Sequence, residues 1–589
     1  MWAIVAVAAV GVATLAVGGF GARFSRTTSN FLVASRTVGS RWNAAAISGE
    51  YLSAASFLGI AGLVLKEGFD ALWYPVGFTA GYVALLLFVA APLRRSGAYT
   101  VPDFAEARLR SAQLRRVATG LVVIIGWLYL VPQLQGAGLT LTAITGWGGW
   151  VGVVSVAGIV VLNVVVGGMR SITFVQAFQY WLKLAALSVP VFVLLIAVAG
   201  ERADAARAIG ADAPPAFTVD TTVTVRTDVT LEVLTPVQFE VREGRVDNVR
   251  GSGPVYWGVG EHEVRAGSVL VFEAGSAVPV VVQGPASNQR WLEPFGGGGP
   301  NPLLLTYSLI LATFLGTMGL PHVLVRFYTN PDGRAARTTT LVVLALLGVF
   351  YLFPAITGVM ARLYEPQLLV TGGTDAAVLL LPGAVLEEWP ARLLAALVAA
   401  GAFAAFLSAS SGLVVSVAGV LSTDVLPPRL RDFRLAAFIA GLLPLGFALS
   451  AQSLDIAVVV SMAFSVAASS FCPLLLLGIW WRGLTDAGAI AGLVLGGGTS
   501  IVAVSAVILG LQPEGLLGAL MAQPAVVTVP LAFLTMLVVS KATGRRVPGD
   551  VARLLARLHA PERLGLAQAE VTRPTDTSGL LGRHGRHRR

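Results

Sequence analysis

The chain has 589 residues, of which 55% are apolar and only 12% are charged. Many separate apolar runs have about 20 residues, the length that spans the ~30 Å hydrocarbon core of a bilayer. This composition excludes a soluble globular protein and predicts an all-α polytopic membrane protein. The net charge of +9 does not indicate nucleic-acid binding, because the basic residues fall in short loops and the tail, where they set membrane orientation. Cys472 is the single cysteine, so no disulfide forms within the chain.

The hydropathy pattern predicts thirteen transmembrane helices, of which the first enters the membrane from outside. Residues 1–20 are apolar and are followed by Arg23 and Arg26, which favours a spanning helix over a cleaved signal peptide. The predicted spans are 2–22, 43–65, 71–91, 116–143, 149–169, 172–199, 302–320, 337–362, 390–423, 433–450, 454–481, 486–510 and 520–540.

Arginine is concentrated in alternate short loops, and Arg326 is assigned to one of them, after helix 7. The positive-inside rule therefore places the N-terminus outside and the C-terminus in the cytoplasm of a plasma-membrane protein. Four regions follow: 1–200 with helices 1–6, an extracellular insert at 201–300, 301–540 with helices 7–13, and a basic cytoplasmic tail at 541–589.

The insert and the tail differ in composition from the membrane part. Residues 217–233 alternate apolar and polar with many Thr and Val, which predicts a small β-rich domain of a few short strands. His262 in this insert is interpreted as an ordinary surface histidine. Residues 547–564 contain a short basic amphipathic segment, which favours contact with the anionic inner leaflet.

The second helix contains the most informative stretch, residues 47–62, which read ISGEYLSAASFLGIAG. It places the ionisable Glu50 among three serines and three glycines inside an apolar segment. A charged side chain at a helix centre costs about 2.5–3.5 kcal/mol, so it usually serves a function. Gly and Ser at this density release backbone carbonyls toward a cavity, which predicts a discontinuous helix at an ion site. A tight helix crossing with a snorkelling Glu50 is the alternative interpretation.

Residues 56–62 (SFLGIAG) have a similar segment in the seventh helix, residues 313–319 (TFLGTMG). The second helix is predicted to run outward and the seventh inward. Gly-interrupted segments in corresponding helices of opposite direction indicate an inverted repeat with a binding site near the midplane. Helices 2–6 would then be repeated as helices 7–11.

Helix 9 reads FAAFLSASSGLVVS over residues 403–416 and carries serines at apolar depth. Ala405, Ser408, Ala409 and Gly412 share one face by i, i+3, i+4, i+7 spacing. Hydroxyls and freed carbonyls are the oxygens that bind Na⁺ in broken-helix transporters, so we expect Ser408 to contact a cation. Ser410 points away from that face and is interpreted as a packing serine.

Helix 4 carries a second polar cluster in the sequence YLVPQLQGAG, which includes Tyr129, Pro132 and Gln133. A proline frees a carbonyl and the two glutamines supply donors, which suits the pathway of a small polar substrate. An interhelical hydrogen bond without a transport role is the alternative.

Seven segments are distributed in order along most of the membrane part: SRTVG at 35–39, GEYLSAASFLGIAGL at 49–63, APLRRSGAYTVPDF at 91–104, VPQLQGAG at 131–138, GGMRSITFVQ at 167–176, GTMGLPHVLVRFYT at 316–329 and FCPLLLLGIWWRGLTDAGAIAGLVLG at 471–496. In these segments and their order, the chain resembles the sodium/solute symporters, and most closely their acetate/monocarboxylate branch. The insert and the tail lie outside the resemblance. It implies a LeuT-like five-plus-five inverted-repeat core and secondary active symport, in which Na⁺ or H⁺ moves inward with an organic solute.

The resemblance also implies a cation site. By position, its ligands are the carbonyls of Gly49, Leu52 and Ala405 and the hydroxyl of Ser408. Ala409 departs from the family pattern, since many members carry a second Ser or Thr there, so either Ser411 substitutes or protons drive transport. Glu50, where close relatives usually carry Asp, would tune the cation electrostatically or accept the coupling proton.

The implied substrate is a small monocarboxylate such as acetate, propionate or pyruvate. We expect no Arg or Lys at the midplane, so helix N-termini freed by breaks near Ser53–Ser56 and Gly316–Gly319 would bind the anion. The side chains expected to contact the substrate are Ser53, Ser56, Tyr74, Gln133 and Thr317.

Two other functions are compatible with the same sequence. One is a symporter of the same fold for proline, a sugar or another nutrient, and the other is a transporter-like receptor or sensor. The five histidines are scattered and no Ser/His/Asp or metal constellation appears, so neither an enzyme nor an enzyme cofactor is predicted.

Overall fold

The computed structural model describes residues 1–22, 38–225, 228–281, 285, 287–295, 301–427, 432–450 and 455–561. Within these ranges, 12 stretches are long and apolar enough to cross a membrane. One of them, Ala55–Ser96, has 42 residues, about twice the ~20 that one crossing needs. It is interrupted at Gly68, whose φ is +69°, so it accounts for two of the thirteen predicted helices.

The α-helices are numbered here in chain order. The first ten are α1 (Trp2–Ala22), α2 (Ser40–Tyr51), α3 (Ile60–Glu67), α4 (Trp73–Ala84), α5 (Ala90–Ser96), α6 (Val101–Leu109), α7 (Ala112–Thr145), α8 (Trp150–Ala197), α9 (Arg202–Gly210) and α10 (Asn288–Leu292). The others are α11 (Pro302–Gly319), α12 (Pro321–Phe327), α13 (Gly333–Tyr364), α14 (Gln367–Thr371), α15 (Ala377–Val385), α16 (Glu388–Val420), α17 (Phe433–Ser450), α18 (Ile456–Ala468), α19 (Phe471–Trp480), α20 (Asp486–Gly492), α21 (Gly498–Ile508), α22 (Gly515–Ala522), α23 (Ala525–Ala542) and α24 (Val551–His559).

The membrane spans that carry residues 47–62 and 313–319 are both discontinuous. α2 ends at Tyr51, the chain leaves helical geometry at Leu52, and a π-helical turn at Ala55–Gly59 leads into α3. α11 ends at Gly319 and α12 begins at Pro321, because proline drives the preceding Leu320 to extended geometry (φ −72°, ψ 114°). The predicted discontinuity of the second helix is confirmed.

The two similar seven-residue segments do not mark these breaks. The first break precedes residues 56–62, whereas the second break follows residues 313–319. The two segments therefore do not occupy equivalent positions relative to the breaks.

A buried ion pair joins the two broken spans. Nε of Arg326 in α12 lies 2.6 Å from Oε2 of Glu50 in α2, and both side chains are at most 2% exposed. Arg326 also donates to Thr173 Oγ1 at 3.0 Å and to Gln176 Oε1, both in α8. The assignment of Arg326 to a cytoplasmic loop is therefore wrong, because the break at Leu320 brings its side chain into the bundle.

Glycines allow the close approach on which this pair depends. A Cβ at Gly412 of α16 would lie 1.9 Å from Oε1 of Glu50, and a Cβ at Gly49 would lie 2.2 Å from the Gln176 carbonyl oxygen. α2 is thus held in direct backbone contact with α8, and its carboxylate faces α16. Small residues at such crossings are typical of helix packing in membranes.

Within its described residues, the insert contains nine short antiparallel strands, more than the few predicted. They are β1 (Thr221–Thr224), β2 (Val229–Val233), β3 (Val237–Glu243), β4 (Arg245–Val246), β5 (Val249–Arg250), β6 (Gly253–Trp257), β7 (Gly260–Val264), β8 (Val269–Phe272) and β9 (Val280–Val281). One sheet has the order β1-β8-β3-β6 and the other β5-β4-β7-β2-β9. His262 stacks on Trp257 at 4.6 Å, and its Nδ1 lies 2.8 Å from Asp247, a structural contact within the insert.

The end of the insert is bound to the first broken span. Nε1 of Trp291 in α10 donates to the carbonyls of Val64 (2.8 Å) and Leu65 (3.2 Å) in α3. The backbone N–H of Phe295 donates to Asp70 at 2.7 Å, in the turn that follows α3. The insert is therefore attached to the same span that carries Glu50.

The tail helix α24 packs on the protein with its apolar face. Leu555 and Leu558 are buried, and Arg95 of α5 donates to the carbonyls of Leu558 and His559. The apolar side of this helix is therefore occupied by the bundle, and contact of its basic residues with the inner leaflet stays a prediction. Residues 562–589 lie outside the described residues, as do Arg23, Arg26 and the glycine-rich end of the insert.

We expect Arg326→Met to destabilise the protein by about 3–5 kcal/mol, because it leaves Glu50 as a buried unpaired charge. The double variant Glu50→Gln/Arg326→Met removes both charges and should recover most of that loss. Thermal unfolding of the detergent-purified protein measures both effects.

Arg207→Met is the matched control, because that side chain is 78% exposed in α9 and its loss should change stability by no more than about 0.5 kcal/mol. A double variant that is no more stable than Arg326→Met would contradict the assignment of Glu50 and Arg326 as partners.

Candidate cation and substrate site

The residues predicted to hold a cation converge at the break in the first span. The carbonyls of Gly49 and Leu52 both accept a hydrogen bond from Nζ of Lys183 in α8, the latter at 2.7 Å. Ser408 Oγ of α16 lies 2.9 Å from the same nitrogen. This hydroxyl is also 2.7 Å from the Gly49 carbonyl oxygen and 3.1 Å from that of Ala405.

Lys183 was absent from the predicted site. Its side chain is completely buried, so the expectation that no lysine lies at the midplane is wrong. An ammonium has three N–H donors, and the three acceptors described above use all of them. The sequence did carry a signal: only three of the 41 Lys and Arg residues are lysines, and Lys183 lies inside an apolar span, where a charge usually has a function.

The other predicted cation-site residues lie next to this centre. Ser411 is buried in α16, but it is not one of the three acceptors of Lys183. Glu50 binds Arg326, which fits a tuning role better than direct coordination. Gln176 links Arg326 to the cation site, because its Oε1 accepts from Arg326 while its Nε2 donates to the Ser408 carbonyl at 2.9 Å.

Two of the predicted substrate residues support the break itself. The Gln133 Oε1 atom accepts the backbone N–H of Ala54 at 2.8 Å, so this side chain caps the helix that restarts there. Ser53 Oγ accepts a hydrogen bond from the Tyr129 hydroxyl at 3.2 Å. Both Tyr129 and Gln133 belong to α7, so the polar cluster of helix 4 faces the break.

The remaining three predicted substrate residues adjoin the ring of Phe78, directly or through one tyrosine. Ser56 Oγ is 2.9 Å from the Tyr351 hydroxyl of α13, and Thr317 Oγ1 is 2.9 Å from the Tyr51 hydroxyl. The ring of Phe78 lies 6.3 Å from Tyr351, 6.2 Å from Tyr51 and 6.3 Å from Tyr74. The role of these residues in substrate binding stays a prediction.

His322 is a polar group at the second break that the sequence analysis did not single out. It follows Pro321 in α12, and neither ring nitrogen has a hydrogen-bond partner among the described residues. Its ring lies 5.1 Å from that of Tyr129, which also binds Ser53 at the first break. Tyr129 thus brings polar groups from both breaks together, and a buried imidazole without a partner is available to a small polar molecule.

An aromatic surface adjoins these polar groups. The ring of Phe464 in α18 lies 6.0 Å from Tyr129, 6.1 Å from Tyr51 and 4.7 Å from Phe78. The surroundings of Tyr129 therefore combine hydrogen-bonding groups on one side with apolar rings on the other, as small-molecule sites usually do.

Comparisons with known proteins bear on the family and the fold. The model of the Sodium:solute symporter family matches residues 31–239 and 301–496, so the match includes the first part of the insert, which the sequence resemblance left out. The chain is 29% identical over 547 residues to the uncharacterized symporter YwcA of Bacillus subtilis, which covers 88% of this chain and 90% of that protein. It is 27% identical over 519 residues to a monocarboxylic acid transporter of Corynebacterium glutamicum, which covers 84% of this chain and 82% of that protein.

Among solved structures, a Na⁺-coupled sialic acid symporter in a substrate-bound outward-open state is similar, with a TM-score of 0.63 and 14% identity. The likeness covers 92% of this chain and 98% of that one, and it confirms the predicted fold class. Since the family model spans most of the sequence on both sides of the insert, the chain belongs to the sodium:solute symporter family.

Proposed function

We propose that the chain is a secondary active symporter that couples inward movement of Na⁺ or H⁺ to uptake of a small monocarboxylate such as acetate, propionate or pyruvate. Membership of the family supports symport with a cation. The relative named as a monocarboxylic acid transporter supports the substrate class. The structural observation that carries the proposal is the meeting of two broken helices at Tyr129, next to buried polar groups.

A small monocarboxylate needs donors for its carboxylate and an apolar surface for its short chain. The Tyr129 hydroxyl and the His322 ring are donors at this point, and Phe464 supplies the apolar surface. The helix that restarts at Ala54 adds the positive end of its dipole, which favours an anion. Arg326 is committed to Glu50 and α8, so we do not assign it to the substrate.

The break at Leu52 lies between the two proposed binding sites, and this supports coupling between them. The carbonyls of Gly49 and Leu52 belong to the end of α2, whereas Ser53 and the residues after it begin the following helical segment. Binding of Na⁺ or of a proton on the carbonyl side would order the amide side as well and change its affinity for the anion. By linkage, the anion would change the affinity for the coupling ion by the same factor.

The arrangement of arginines supports an N-terminus outside and a C-terminus in the cytoplasm of a plasma-membrane protein. In this orientation the β-rich insert faces the exterior, and the substrate moves toward the arginine-rich side.

Uptake of radiolabelled acetate into proteoliposomes that contain the purified protein tests the proposed function. We expect uptake above that of protein-free vesicles under an inward cation gradient, and we expect unlabelled propionate and pyruvate to inhibit it. Proline and glucose serve as competitors for the alternative nutrient symporters. Inhibition by proline or glucose with none by any monocarboxylate would contradict the proposed substrate class.

Tyr129→Phe tests the proposed substrate position. The variant removes a hydroxyl whose hydrogen bond is worth about 0.5–1.5 kcal/mol, so the KM for acetate should rise about two- to tenfold. Tyr307→Phe is the matched control, since Tyr307 is 59% exposed on α11, and its KM should equal that of the wild type. An unchanged KM in Tyr129→Phe would place the substrate elsewhere.

A further inference from the structure

We propose that Lys183 is the resident cation of this transporter, and that its ammonium takes the place of Na⁺ at the break in the first span. Lys183 thereby determines cation specificity. The consequence for transport rests on the proposed function, whereas the assignment of the site to Lys183 rests on geometry alone.

The Lys183 ammonium uses the oxygens that Na⁺ would need. Nζ of Lys183 donates to the carbonyls of Gly49 and Leu52 and to Ser408 Oγ. These are three of the four oxygens assigned to Na⁺ by the family resemblance, and the fourth, the Ala405 carbonyl, lies 3.1 Å from the same hydroxyl. A coordination set of this kind fits a single cation, and the lysine already fills it.

The charges around the break also disfavour a bound Na⁺ ion. Glu50 follows Gly49 in the sequence, and its carboxylate is already paired with Arg326. The three acceptors of Nζ, from the end of α2, the break and α16, are neutral oxygens. A Na⁺ ion added here would place three positive charges around one carboxylate in an apolar core, where repulsion between close charges is strong.

The geometry of the Lys183 side chain fits an ammonium that stays at the break. Lys183 reaches the break from α8, and all three of its donors are satisfied while its stem is buried. A buried ammonium is tolerated when it is fully hydrogen-bonded. Because this cation is covalently attached, it does not cross the membrane. Uptake should therefore not require a Na⁺ gradient at this site, and a proton gradient is the remaining driver among the two proposed.

The first experiment compares uptake of labelled acetate in Na⁺ medium with uptake in choline medium, under the same inward proton gradient. For the wild type we expect the two uptake rates to agree within about twofold. A difference this small means that replacing Na⁺ by choline removes no interaction that the wild type uses. For Lys183→Ala we expect acetate uptake in choline medium to fall at least about tenfold. Na⁺ medium should restore part of the lost acetate uptake, because the freed oxygens can then hold the ion. Lys541→Ala, at an exposed lysine, should behave as the wild type.

The second experiment measures ²²Na⁺ binding to purified protein without substrate, so its result does not depend on the proposed function. We expect no saturable site in the wild type, saturable binding in Lys183→Ala, and loss of that binding in Lys183→Ala/Ser408→Ala. Saturable binding to the wild type that Ser408→Ala abolishes would overturn the inference even if Lys183→Ala does not fold. Wild-type uptake that requires Na⁺ would overturn it as well. A wild type that binds no Na⁺ and transports no monocarboxylate under either gradient would support Lys183 as the resident cation and contradict the proposed substrate.

Discussion

The backbone groups released at Leu52 and Ser53 must be satisfied inside an apolar bundle, and the structure of the core depends on how this is done. Without water, each unpaired backbone group would cost several kcal/mol. Lys183 of α8 and Ser408 of α16 bind the carbonyls that precede the break, and Gln133 of α7 binds the amide that follows it. Three helices are thereby fixed around one irregular turn.

The buried charges form a second layer around this turn. Glu50 and Arg326 connect α2 with α12, and Gln176 extends the connection to the Ser408 backbone. A buried ion pair of this type contributes less to stability than its contacts suggest, because desolvation offsets the attraction. Its value here lies in position: it fixes the register of one broken span relative to the other.

The sequence was sufficient to predict where the first span breaks and which oxygens meet there. Glycine and serine density around Glu50 indicated the discontinuity, and the face of helix 9 indicated Ser408. What these oxygens bind was not predictable in the same way, because Lys183 is separated from Gly49 by 134 residues and no local pattern joins the two. Family resemblance suggested an inorganic ion for a position that a side chain fills.

Arg326 illustrates a different limit. Arginine near the end of an apolar segment normally marks a cytoplasmic loop, and only the proline-induced break at Leu320 reveals that this one points inward. The similar segments at 56–62 and 313–319 pointed to two spans that are both broken, but they lie on opposite sides of their breaks, so their resemblance does not give the residue at which each span breaks. Tyr74 and Thr317 were predicted to contact the substrate, and both are buried; that contact stays a prediction, because burial does not determine which side chains share a pocket.

The scarcity of lysine has a practical consequence for following the transport cycle. The side-chain amines of this chain are those of Lys66, Lys183 and Lys541; Lys66 is partly exposed and Lys541 is exposed, whereas Lys183 is shielded from solvent. A water-soluble reagent that reacts with amines reaches Lys183 only when the bundle opens to one side of the membrane. The rate at which the Lys183 amine is labelled from each side therefore measures how often the bundle opens to that side during alternating access.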